Sequence, residues 1–77
     1  MPEERVTYFE IHDIPFREVF RPSSFVEISR VDVDSSGKMV LREPNQEESR
    51  LLGLPIERNS INESIAVELA KDPTYSW

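Results

Sequence analysis

A chain of 77 residues with no cysteine and a hydrophobic fraction of 38% has room for one small core, and excludes disulfide scaffolds and thiolate metal sites. Nine basic against fifteen acidic residues give a formal net charge of -6, a field that repels phosphate backbones and suits a protein partner with a basic surface. The opening MPEERVTYFE has no apolar run behind its charges and no stretch reaches spanning length, so the expectation is a cytoplasmic protein without a signal peptide or a membrane helix.

RVTYFEIHDI reads as a strand over residues 5–14, with Thr7, Phe9 and Ile11 on one face and Val6, Tyr8 and His12 on the other. Pro15 then stops it. Phe16, Val19 and Phe20 follow at the i, i+3, i+4 spacing of one helical turn, which Pro22 closes. A second strand is expected over 25–33, but its apolar phase changes between Val26 and Ile28 on one side and Val31 and Val33 on the other. One extra residue near Ser29 or Arg30, a β-bulge, would restore the register. KMVLRE makes a third strand over 38–43, joined to the second by a turn in which Gly37 takes a positive φ.

Asn45 and Glu48 have the spacing of a capping box and open a brief helix, QEESRLL, that Gly53 and Pro55 close. Ser60 and Glu63 repeat the signature ahead of a C-terminal helix over 61–71, with Ile61, Ile65 and Leu69 on one stripe. The expected architecture is a single small α+β domain over 1–77: an antiparallel sheet of about three strands, the C-terminal helix packed on one face, and a tail over 72–77. Val6, Tyr8, Phe16, Phe20 and Phe25 then exceed what one helix can hide, so a second copy or another protein is expected to complete the burial.

The stretch DVDSSGKMVLRE carries the sharpest motif. It fits the calcium pattern D-x-[DN]-x-[DN]-G-x5-E at every defined position but the fifth, where Ser36 stands. In that register Asp32, Asp34, Ser36 and Glu43 would supply oxygen ligands, and the stretch resembles an EF-hand loop and the calcium loop of dockerin modules. The β-branched segment before Asp32 and Pro44 after Glu43 fit strands better than flanking helices. The reading that ranks first is therefore a hairpin turn: Asp34 accepts backbone N–H groups, Gly37 is left-handed, and Lys38 and Glu43 face solvent.

SRVDVDSSGKMVLREPNQEESRLLGLP is in turn similar to the swapped-hairpin AbrB and MazE class of transcription factors and antitoxins, through Gly37-Lys38-Met39-Val40 and Leu51-Leu52-Gly53-Leu54. That resemblance implies an intertwined dimer on DNA. The hairpin offers only Arg30, Lys38 and Arg42 as basic groups, interspersed with acids, where duplex binding needs a clustered positive surface.

Catalysis finds little support. His12 is the one histidine, and on a strand its neighbour Asp13 faces the opposite way; no phosphate loop or nucleophile elbow occurs. No catalytic residue, cofactor site or resident metal site is assigned. The expectation is a non-catalytic protein-interaction module, an adaptor, inhibitor or small subunit, acting as a homodimer or within a complex. Its expected contacts are Tyr8, Phe20, Tyr75 and Trp77, since exposed aromatics anchor interfaces. A DNA-binding regulator or antitoxin, a weak calcium-loop protein and an acidic DNA mimic are the alternatives.

Overall fold

The computed structural model describes residues 4–22 and 25–71, so the contacts expected at Tyr75 and Trp77 and the tail lie outside the described residues. The chain runs β1 (Arg5–Ile11), β2 (Ile14–Phe20), β3 (Glu27–Val33), β4 (Met39–Arg42), α1 (Gln46–Gly53), β5 (Asn59–Ile61) and α2 (Glu63–Lys71). The strands form one antiparallel sheet of five, in the order β4-β3-β2-β1-β5. The α+β class and the C-terminal helix match the sequence reading; the sheet has two more strands than expected. No helix among the described residues is long and apolar enough to cross a membrane.

The largest correction falls at residues 11–20. His12 and Asp13 have φ of 52° and 65° and form a two-residue turn between Ile11 and Ile14, which face each other across the hairpin. Positive φ at both central residues is the signature of the type I′ turn, whose twist matches that of the flanking strands. The turn sends the chain straight back, so the segment expected as a helical turn becomes β2. Phe16 lies opposite Phe9, the two rings stacked with centroids 5.4 Å apart. Pro15 does not stop the chain; it takes the second position of β2.

Asp34 N–H donates to the Lys38 carbonyl, so the backbone groups of these two residues point toward each other. By antiparallel alternation Asp32, Arg30 and their partners Val40 and Arg42 bond across β3 and β4, while Val31 directs its backbone groups toward β2. Extending the β2–β3 register by one residue sets Val31 opposite Pro15, which has no N–H to donate. The ladder ends one pair earlier, at Phe16 and Arg30, and the Arg30 guanidinium donates to the Val31 carbonyl instead.

The registers also remove the expected bulge: β3 pairs without interruption with β2 and with β4. Its apolar phase changes because both faces of the sheet are covered. On one face Phe9, Ile11, Ile14 and Phe16 form the core cluster, with Ile28 and with Leu51, Leu52 and Ile56 of the α1 region packed against it. Residues of opposite parity, Val19 and Val31, point to the other face, which α2 covers with its buried Ala66. α1 thus takes the place expected of a partner protein over Phe16, which is fully buried.

The capping box on α1 is present as read, with Asn45 accepting from Glu48 N–H and Glu48 accepting from Asn45 N–H, both at 2.9 Å. For α2 the cap is different. Asn62, not Ser60, accepts the Ile65 N–H at 2.9 Å, and Ser60 and Ile61 belong to β5 beside Phe9 and Tyr8.

Candidate functional site

Three places hold the residues singled out by sequence. The first is the β3–β4 hairpin. One oxygen of Asp34 accepts from Ser36 N–H at 2.9 Å, Ser36 Oγ–H at 2.6 Å and Lys38 N–H at 3.0 Å, and Gly37 sits at φ 84°. These bonds, led by the Ser36 hydroxyl, hold the Asp34 carboxyl below its ordinary range. Asp32 faces elsewhere, accepting Arg42 Nε–H at 3.3 Å and Val33 N–H at 2.8 Å. Glu43 and Lys38 are exposed. Ser36 therefore stands with Asp34, while Asp32 is turned to the sheet. Among the described residues no group of three or more His, Cys, Asp or Glu side chains stands close enough to hold a metal ion.

The second is a charge cluster on the α1 side of the sheet, and its roles were not legible in the sequence. Arg30 is 5% exposed and Glu48 1%. Glu48 accepts Arg30 Nε–H at 2.9 Å and both terminal nitrogens of Arg42 at 2.9 and 3.0 Å, in addition to the Asn45 backbone. Burial opposes charge on Glu48, but the bonds from Arg42, Asn45 and Arg30 outweigh it and hold the carboxyl below its ordinary range. Burial lowers the pKa of Arg30, and the bond to Glu48 raises that of Arg42. Every buried side-chain polar atom among the described residues has a partner. A cluster bonded in this way holds α1 to the sheet. Two of the three basic groups that the DNA resemblance would use, Arg30 and Arg42, are engaged here, leaving Lys38.

The third place is apolar and open. Phe20 ends β2 at 46% exposure, Phe25 is 92% exposed, and Val26 is exposed just before β3 begins. Continuing the β2–β3 register by one pair sets Val26 beside Phe20 on the α1 side of the sheet, beyond the residues that α1 covers. Arg21 flanks the patch with ion pairs to Glu4 and Glu27, each at 3.1 Å. Of the expected contacts, Phe20 lies here, whereas Tyr8 is half-buried on the opposite face, beside Arg17 and Ile61.

The hairpin end of β1 and β2 differs from its reading as well. His12 and Asp13 share the turn instead of lying along a strand, and Asp13 N–H donates to Glu10 at 2.6 Å. Glu10 also accepts the Asn59 amide, which ties β5 to β1. Compared with known proteins, the chain matches no family model, no curated protein and no solved structure.

Proposed function

We propose that the protein is a non-catalytic interaction module that docks an apolar segment of a protein partner on Phe20, Phe25 and Val26 and works as a homodimer or within a complex. The observation that carries this reading is the exposure of two phenylalanines, one of them 92% open, at one corner of a chain of only 77 residues. Exposed apolar side chains beside charged ones mark interaction sites, and aromatics supply much of the energy where partners dock. The saturated Arg30–Glu48–Arg42 cluster supports a structural role for the most buried charges, and the net charge of -6 supports a protein partner over nucleic acid.

The test is affinity capture with the full chain in parallel with a Phe20→Ser, Phe25→Ser variant, followed by direct titration of the recovered protein. A partner bound by the parent, retained at high salt and lost with the variant is the expected result. Equal capture by both, or binding that collapses with salt as mimicry of a polyanion would, overturns the reading.

A further inference from the structure

The sheet ends on two edges that differ in character. β5 is three residues long and tied by the Asn59 bond to Glu10. β4 is four residues long, and among the described residues nothing pairs with its outer side. Because Val40 and Arg42 bond inward to β3, the backbone groups of Met39 and Leu41 point outward. Their side chains lie on the α2 side of the sheet, but α2 spans β1 to β3 and leaves Leu41 42% exposed. An open edge with apolar side chains is a template for another strand.

The chemistry of the strand selects its occupant. We propose that β4 pairs antiparallel with β4 of a second copy of this chain, joining two sheets into one of ten strands with Leu41 on the two-fold axis. This rests on the homodimer part of the function proposed above and names its interface. Outward residues must oppose outward residues, so the axis passes through one of the four residues of β4. With Met39 on the axis, Leu41 falls opposite Gly37 in the β3–β4 turn, outside the strand. With Val40 on the axis, Lys38 opposes Arg42 of the second copy; with Arg42 on the axis, two arginines oppose each other. Like charges directly opposite are destabilising. With Leu41 on the axis, Leu41 meets Leu41, Val40 meets Arg42 and Met39 meets Glu43, and no like charges face each other. The two Leu41 side chains then meet on the α2 side of the sheet, with Met39 of each copy beside Glu43 of the other.

The absence of cysteine makes the register directly readable. Met39→Cys, Leu41→Cys and Glu43→Cys are each the sole thiol of the full chain, and only a residue on the axis meets itself. Under mild oxidation Leu41→Cys should form the disulfide-linked dimer fastest, since directly opposed strand residues lie within disulfide reach. Equal rates in the three variants, or a maximum at another position, overturn the register. Leu41→Pro removes an outward N–H while sparing the β3–β4 bonds, and Leu41→Lys places two charges together on the axis. Both should sediment at the chain mass of 9.0 kDa where the parent sediments at twice that, with unchanged circular dichroism. A dimer that survives both substitutions overturns β4 pairing and leaves a homodimer through another surface. A parent that is monomeric throughout overturns this inference and the homodimer, while capture by Phe20 and Phe25 is decided separately.

Discussion

Glu48 does two jobs with one carboxylate. Its spacing from Asn45 identifies it as a capping residue, and that much is local; the same oxygens also receive Arg30 from β3 and Arg42 from β4. Removing one partner from a buried ionic cluster costs about 3–5 kcal/mol, because the remaining charges stay buried without compensation. Glu48→Gln should therefore destabilise strongly in urea unfolding, whereas replacing Arg30 and Glu48 together by apolar residues of similar size should recover much of the loss. The pH dependence has a definite sign. The folded state holds the Glu48 carboxyl below its ordinary range, so the folded protein binds fewer protons and the stabilisation is fully present above the ordinary glutamate value. It is lost as pH falls through the folded value. Thermal melts across the acid range should show a steeper fall for the parent than for Glu48→Gln.

At the level of elements, short-range signals hold for the Asn45 cap and the Gly37 turn, while α2 starts two residues later than its sequence signature, at Glu63 behind Asn62. The Asn45 box, the Gly37 turn and the α1 and α2 segments depend on residues within a few positions of one another. Elements that depend on distant pairing were missed. Phe16, Val19 and Phe20 are spaced for a helix, yet the His12-Asp13 turn commits them to a strand, where Phe16 meets Phe9 on one face and Val19 joins Val31 on the other. Neither turn residue is glycine or asparagine, so the sequence carries no strong turn signal there. The left-handed region costs ordinary residues about 1–2 kcal/mol each. The double variant His12→Asn, Asp13→Gly suits a type I′ turn better and should raise the unfolding free energy by about 1 kcal/mol. An unchanged or lowered denaturation midpoint would contradict that turn geometry. The start of α2 has its own check: Asn62→Ala should cost about 1 kcal/mol as a lost cap, while Ser60→Ala in β5 should stay within about 0.5 kcal/mol.

For the whole molecule, the two faces of the sheet divide the work. One carries the aromatic core and the charge cluster beneath α1, the other the valines beneath α2, and Phe20 and Phe25 stay exposed outside both clusters. Because those rings are exposed, Phe20→Ser with Phe25→Ser should leave the melting temperature within a few degrees of the parent while reducing binding of a hydrophobic dye. A large loss of stability would instead place them in the core.

From the sequence by itself came the α+β class, the hairpin at Gly37, the Asn45 cap, the C-terminal helix and an apolar excess beyond what one helix could cover. Each rests on composition or on neighbours a few residues apart, where propensity and capping operate. Only the tertiary structure decided that α1 covers the second face, that Pro15 leaves the Val31 carbonyl to Arg30, and that β5 joins β1 from the far end of the chain. These depend on which residues meet across tens of positions, and a linear pattern records spacing along the chain but not the partner across the sheet.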